Sequence, residues 1–214
     1  MLEAFFKPRS IAVVGATRDT KGLGYSVLHN IISHGYTGPV YPVNPKATEI
    51  AGLKSYPCIL DVPADVDLAV IVTPARVVPQ VVEECGQKGC RALIIISAGF
   101  REAGSEGLRM ERQIGATASR YGMRVIGPNC LGVIDASHHL NASFAATMPQ
   151  QGRTAFMSQS GALMAAILDW AAVEGFGFSS MVSLGNKLDV DEVDLLEAFV
   201  SDKESRVILG YLEG

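Results

Sequence analysis

The sequence offers little with which to build a metal centre or a disulfide framework. Its 214 residues include four cysteines and four histidines. Cys58, Cys85, Cys90 and Cys130 follow neither zinc-ligand spacing nor a dense disulfide pattern. They read as reduced, mostly buried small hydrophobes, which fits a cytoplasmic protein. His29, His34, His138 and His139 lie away from any strand-end motif, and a catalytic imidazole requires a positioned partner. No metal site is therefore expected, and no Gly-x-Ser-x-Gly elbow is present. Positive charge is also short, with 18 Lys and Arg against 22 Asp and Glu and a net charge of −4. That balance argues against a nucleic-acid partner, although it leaves room for a local basic pocket. No apolar run approaches the roughly 20 residues of a membrane span. Met1-Leu2-Glu3-Ala4 lacks the basic start and apolar stretch of a secretory signal. No membrane partner is expected.

What the chain does have is apolar material in a regular rhythm. Hydrophobic residues make up 48% and the mean hydropathy is +0.24, enough for one large or two small domains. Short β-branched runs at 10–15, 40–43, 67–72, 92–96 and 124–126 predict strands. Between them, 25–33, 76–87 and 106–121 predict helices. Alternation with almost continuously apolar strands implies a parallel sheet covered on both faces. Residues 131–152, with His138-His139, Asn141, Pro149 and Gln150-Gln151-Gly152, break the rhythm and read as a connecting segment between a domain at 1–130 and a second at 153–214. The alternation resumes with strands at 154–157, 181–183 and 207–211 and helices at 163–173 and 190–200. The second unit ends on a strand without a closing helix, which would leave an apolar face open. This leads us to expect a truncated domain or a separate partner chain.

The loop after the first strand is Gly15-Ala16-Thr17-Arg18-Asp19-Thr20-Lys21-Gly22-Leu23-Gly24. A dinucleotide fingerprint wants Gly-x-Gly-x-x-Gly at such a turn. Thr17 replaces the second glycine and the loop is longer, but small residues and free N–H groups at a helix start still favour phosphate. Gly15, Ala16, Thr17, Lys21 and Gly22 are the candidate contacts. An NAD enzyme usually carries Asp or Glu at the end of the second strand; here stands Asn44-Pro45-Lys46. Lys46 favours a phosphorylated ribose, as in CoA or NADP, over NAD. Thr73-Pro74-Ala75 and Ser97-Ala98-Gly99 end the third and fourth strands with small residues that let a long, thin ligand pass.

In the second domain, Ser158-Gln159-Ser160-Gly161 follows a strand and opens a helix. Ser160 can cap that helix while Gly161 and Ala162 present N–H groups to an anion. Gly185, Asn186 and Lys187 form a second strand-end loop suited to a phosphate or acyl group. Asp189 and Asp191 read first as helix-starting carboxylates. Glu213 is either a solvated carboxylate or one that holds an imidazole N–H in the tautomer needed for attack.

Taken in order, Ser10 to Gly15, Pro42-Val43-Asn44-Pro45-Lys46, Thr73-Pro74-Ala75, Gly127-Pro128-Asn129-Cys130-Leu131-Gly132 and Ser158-Gln159-Ser160-Gly161-Ala162-Leu163 resemble the CoA-binding and ligase-CoA regions of NDP-forming acyl-CoA synthetases. The match is similar to the alpha part of ADP-forming acetyl-CoA synthetase, a relative of the succinyl-CoA synthetase alpha subunit. The resemblance implies an α/β fold, with a Rossmann-like CoA-binding domain followed by a partial flavodoxin-like domain. It implies CoA, acyl-CoA and phosphate as ligands, with Asn129 near the thioester. Ser160 and Gly161 would face a phosphohistidine, and Glu213 would orient it. That histidine would lie beyond this segment. ADP or ATP with Mg²⁺ would sit on an ATP-grasp domain or subunit, in an oligomeric, cytoplasmic acid-thiol ligase. Two alternatives stay open: a non-catalytic CoA-sensing module, as in synthetase-like protein acetyltransferases, and an NADP-dependent oxidoreductase.

Overall fold

A computed structural model describes residues 2–213. A single helical turn, α1 (Glu3–Phe6), precedes β1 (Ile11–Val14), α2 (Leu23–Ser33) and β2 (Val40–Val43). A small hairpin of β3 (Glu49–Ile50) and β4 (Leu53–Lys54) follows, then β5 (Leu68–Ile71), α3 (Val78–Lys88), β6 (Ala92–Ile95), α4 (Ser105–Tyr121) and β7 (Arg124–Ile126). The first sheet has the order β2-β1-β5-β6-β7 and every pairing in it is parallel. Residues of β1, β5 and β6 are buried throughout, as strands covered on both faces must be. The pleat divides β1 between two cores. Ile11 and Val13 pack with Val27, Leu28 and Ile31 of α2. Ala12 and Val14 pack with Val81 and Val82 of α3 and Ile114 of α4. Pro42 sits where its missing N–H does least harm, on the edge strand β2. The strand order reverses direction between β1 and β5, and that switch point is where open α/β sheets bind ligands.

The second sheet runs β12-β10-β11-β8-β9. Its members are β8 (Gly132–Asp135), β9 (Leu140–Ser143), β10 (Gln151–Ser158), β11 (Phe178–Ser183) and β12 (Val207–Tyr211), with α5 (Gly161–Glu174) after β10 and α6 (Glu192–Ser201) after β11. β10 is parallel to β11 and β12, whereas β8 is antiparallel to β11 and β9 to β8. The segment expected to connect the domains thus contains a hairpin of the second sheet. The composition concealed it because each strand is four residues long and Asp135, Asn141 and Ser143 place polar side chains among the buried ones. Asn141 is internally satisfied by the Ser143 hydroxyl at 2.6 Å. The Asn30 amide of α2 donates to the Ser143 and Ala145 carbonyls at 2.9 and 2.7 Å. This hairpin also joins the cores: Val133, Leu140 and Ala142 belong to the same apolar cluster as Ile11 and Val27. At the other end of the sheet, β12 is an edge. Val207, Leu209 and Tyr211 are 50%, 46% and 40% exposed.

Candidate functional site

The first loop is built around Gly15. Its φ is +95°, and a Cβ there would lie 2.9 Å from the carbonyl carbon and oxygen of Val72. Glycine thereby lets the loops after β1 and β5 close on each other at the switch point. Asn44 fastens the neighbouring loop, donating from Nδ2 to the Ala16 carbonyl at 2.7 Å and accepting the Lys46 N–H at 2.8 Å. Arg18 reaches across to the Lys46 carbonyl at 3.4 Å. Two exposed cations, Arg18 and Lys46, therefore share one mouth. Arg18 was not singled out from the sequence; its place inside the glycine loop was the available signal. Within that loop, Thr17 and Asp19 accept the N–H groups of Asp19 and Lys21 at 3.1 and 3.0 Å. Those two donors are spent. The start of α2 is open instead: Gly22 caps it without a side-chain bond and no acid lies in its first turn. Thr73 supplies a further sign of a ligand path, since its buried Oγ1 has no partner. A polar group crossing here would satisfy it. Ser97 Oγ donates to the Thr73 carbonyl at 2.6 Å, joining the ends of β5 and β6. Pro74 and Ala98 are exposed on the same edge, and a Cβ on Gly99 would come within 3.1 Å of Ala75.

The second anion-ready feature is the start of α5. Ser160 caps it, accepting the Leu163 N–H at 3.2 Å. Ser158 Oγ in turn accepts the Ser160 N–H at 3.1 Å and donates to the Ser160 carbonyl at 2.8 Å, fixing the turn. No acid lies in the first turn of this helix, so its positive end is uncompensated. Gln159 bridges to the chain end: its N–H donates to the Tyr211 carbonyl at 3.0 Å, and its side-chain oxygen accepts the Glu213 N–H. Glu213 and Ser160 thus lie on adjacent strand-end loops of the parallel pair β10 and β12.

The loops of the two domains meet directly. Gly185 has a φ of +59°, and a Cβ on it would stand 2.3 Å from the Pro128 carbonyl oxygen. The Asn186 N–H donates to that oxygen at 2.8 Å and the Leu188 N–H to the Gly127 carbonyl at 3.0 Å. The Asn129 N–H donates to the Ser97 carbonyl at 3.0 Å, and its Nδ2 lies 3.4 Å from Asn186 Oδ1. Asn186 itself corrects an expectation. It is 6% exposed, and its amide donates to Glu102 at 2.7 Å and Glu111 at 2.8 Å. Both N–H groups offered for phosphate are used by carboxylates 75 and 84 residues away. Asp189 is corrected as well: rather than starting a helix, it accepts Arg124 Nε at 2.9 Å and the Val125 N–H at 2.8 Å. Asp191 does cap α6, with a reciprocal bond through Asp194. Lys187 keeps its ammonium 3.1 Å from Glu192, which partly neutralises it as a phosphate ligand. Gly99 has its N–H on Glu102 at 2.5 Å. Burial alone would raise the Glu102 carboxyl. The Asn186 amide and the Gly99 and Phe100 N–H groups outweigh that and hold it below the usual range.

The remaining candidates are quiet. Cys85, Cys90 and Cys130 are buried and Cys58 half-buried, all as free thiols. Burial pushes the Cys130 thiol up to about 12, so it is no nucleophile at neutral pH. His138 pairs with Asp135 at 3.0 Å, and burial raises that carboxyl. This pair lies at the turn of the β8–β9 hairpin, away from both loops. Among the described residues no group of three His, Cys, Asp or Glu side chains could hold a metal, and no helix is long and apolar enough to cross a membrane.

With this geometry in place, comparison with known proteins is decisive. Residues 9–136 match the CoA binding domain and residues 151–214 the succinyl-CoA ligase like flavodoxin domain. The acetate–CoA ligase [ADP-forming] I subunit alpha of Pyrococcus furiosus is 49% identical over 100% of the chain. The chain belongs to the NDP-forming acyl-CoA synthetase family. Acetate–CoA ligase [ADP-forming] I of Archaeoglobus fulgidus is 47% identical, again over the whole chain. Acetyl-coenzyme A synthetase 1 of Ca. Korarchaeum cryptofilum, solved in complex with phosphate and ADP, superposes with a TM-score of 0.97 at 46% identity. The chain spans 47%, 31% and 46% of these three proteins, about half or less of each.

Proposed function

We propose that this chain is the CoA- and phosphate-binding portion of an ADP-forming acyl-CoA synthetase. The observation that carries the reading is the junction of 127–130 with 183–188. This junction lies beside the start of α5, where a Cβ on Gly161 would stand 3.5 Å from the Leu131 Cβ, which supports a path for the thioester from the switch-point crevice to the Gly161 and Ala162 N–H groups. In this reading CoA lies across Gly15, Ala16, Thr17, Gly22, Lys46, Thr73 to Ala75 and Ser97 to Gly99. Its diphosphate meets the start of α2 and its 3′-phosphate meets Lys46 and Arg18. Inorganic phosphate sits at the Gly161 and Ala162 N–H groups, beside the Gly185 loop. A phosphate oxygen attacks the thioester carbonyl, the C–S bond breaks, and CoA leaves as thiolate, giving acyl phosphate. The phosphoryl group then passes through a histidine outside this segment to ADP on an ATP-grasp partner, where Mg²⁺ would belong to the nucleotide site rather than to this chain. The acid and ATP are the products. This chain's share of the chemistry is positioning and electrostatic stabilisation, which phosphoryl transfer chiefly requires. Glu213 orients the histidine. The compartment is cytoplasmic and the whole enzyme an oligomer.

The CoA-sensing and NADP-oxidoreductase alternatives are not favoured, because the relatives named above are ligases over the full length of the chain. Calorimetric titration with CoA and with NADPH tests the crevice; binding of NADPH but not CoA would refute the assignment. Turnover of acetyl-CoA, phosphate and ADP should require the whole enzyme. ATP formation by residues 1–214 alone would show that the histidine and nucleotide site are not elsewhere.

A further inference from the structure

One carboxylate stands between the two sites. Glu102 Oε1 accepts the N–H groups of Gly99 and Phe100 at 2.5 and 3.1 Å, on the loop ending β6. Its Oε2 accepts Asn186 Nδ2 at 2.7 Å, on the loop ending β11. The second hydrogen of that amide goes to Glu111 of α4 at 2.8 Å, whose Oε2 also accepts the Arg101 N–H at 3.1 Å. Carboxylates only accept, so two of them facing one amide fix which end of Asn186 is nitrogen. Asn186 is then held at four points: by both amide hydrogens, by its Oδ1, 3.4 Å from Asn129 Nδ2, and by its backbone N–H, which donates to the Pro128 carbonyl.

We infer that Glu102 is a positioning residue for the phosphate-dependent step: it sets the distance between the CoA loop at Gly99–Phe100 and the phosphate loop at Gly185–Lys187. The inference rests on the functional reading above and adds a role that the fold alone does not assign. The mechanism is geometric. Attack on a thioester needs the two ligands held in reacting geometry, and a displacement of about 1 Å can cost two orders of magnitude in rate. The loop bearing Gly185 cannot drift alone, because Gly185 already lies against the Pro128 carbonyl. Freeing Asn186 would let it rotate about that contact.

Glu102→Gln tests this in the whole enzyme. The glutamine oxygen keeps the two converging N–H groups of Gly99 and Phe100, and its NH2 then faces the Asn186 NH2, so the contact between the domains breaks while the CoA loop stays held. We expect kcat/KM for phosphate to fall about tenfold or more, the scale of one lost charge-assisted hydrogen bond. The CoA Kd should change less than about threefold. Glu102→Ala removes both contacts and should weaken CoA as well. Asn186→Ala breaks the same link, so adding Glu102→Gln to it should cost nothing further in phosphate kcat/KM. Three results would overturn the inference: an unchanged phosphate kcat/KM in Glu102→Gln, additive losses in the double variant, or losses in phosphate and CoA parameters that simply track a lowered Tm. A wild-type enzyme whose turnover is indifferent to phosphate would instead refute the functional reading itself, and the inference with it.

Discussion

Replacing Lys46 by alanine should cost CoA more affinity than dephospho-CoA, and the size of the difference can be worked from the site. Lys46 is exposed, so its ammonium acts through water-like dielectric. Two unit charges about 4 Å apart in water interact by about 1 kcal/mol. A phosphomonoester carries about two charges near neutrality, which gives about 1–2 kcal/mol before screening. A contact at this range lies inside the Debye length of about 8 Å at physiological salt, so most of that survives. The CoA Kd should therefore rise about five- to thirtyfold. Dephospho-CoA, lacking the 3′-phosphate, should bind the variant nearly as well as wild type. Lys46→Glu should enlarge the gap, since a carboxylate in place of the ammonium repels the 3′-phosphate. The gap should shrink between 0.05 and 0.5 M salt. Calorimetry of both ligands against the three proteins decides it. Equal weakening of CoA and dephospho-CoA would mean that Lys46 acts through the loop conformation rather than on the 3′-phosphate.

Other consequences can be measured independently. Arg124→Ala removes bonds to Asp189 and Asp194 at 2.9 and 2.8 Å and leaves both half-buried carboxylates short of a partner, so unfolding stability in urea should drop by about 2–3 kcal/mol. The Asp67 carboxyl is lowered by the Arg9 side-chain hydrogen bonds at 2.8 and 2.9 Å, with the Arg9 N–H adding to them against burial. Its stabilisation is therefore fully present above the ordinary carboxylate range near pH 4 and is lost as pH falls through the lowered folded value; the urea midpoint should fall more steeply with acid in wild type than in Asp67→Asn. In the whole enzyme, Glu213→Gln should slow labelling of the phosphohistidine at least tenfold in rapid-quench experiments, by analogy with the cost of losing an orienting carboxylate, while the CoA Kd stays put. Labelling at the wild-type rate would make Glu213 a surface residue.

The parts of the fold that could be read from sequence are those fixed by local pattern. Leu68-Ala69-Val70-Ile71 is apolar throughout because it is covered twice, and it pairs in register with Ile11–Val14 on one side and Ala92–Ile95 on the other. The β8–β9 hairpin escaped because its pattern is not local: Asn141 and Ser143 look like loop residues until Asn30, more than a hundred residues earlier, caps the strand end. The same holds for the site. Gly15, Lys46, Thr73 and Ser160 stand at strand ends and could be chosen by position alone. Asn186 and Asp189 could not be judged so, because what occupies them is brought by tertiary folding. With their neighbours unknown, Asn186 in a glycine loop looks like a ligand contact and Asp189 like a helix-starting carboxylate. Here Glu102 and Glu111 claim one, and Arg124 the other.

If a chain of net charge −4 is to hold a polyanionic ligand and a phosphate, as proposed above, it must attract them locally, and the helix starts offer a means. α4 and α6 carry acids in their first turns, Glu106 in one and Glu192 and Asp194 in the other, and Asp191 caps the second. Their positive ends are compensated within the chain. α2, α3 and α5 carry none, and each of these follows a strand end chosen above as a ligand contact: Gly15, Thr73 and Ser158 to Ser160. Backbone donors keep their charge state at every pH, unlike lysine or histidine, but they work only if aimed correctly. That requirement explains why the polar side chains of the junction are spent on one another. Asn186 is bonded to Glu102 and Glu111, and Asp189 to Arg124; in the proposed reading these bonds hold the two sets of donors at a fixed separation.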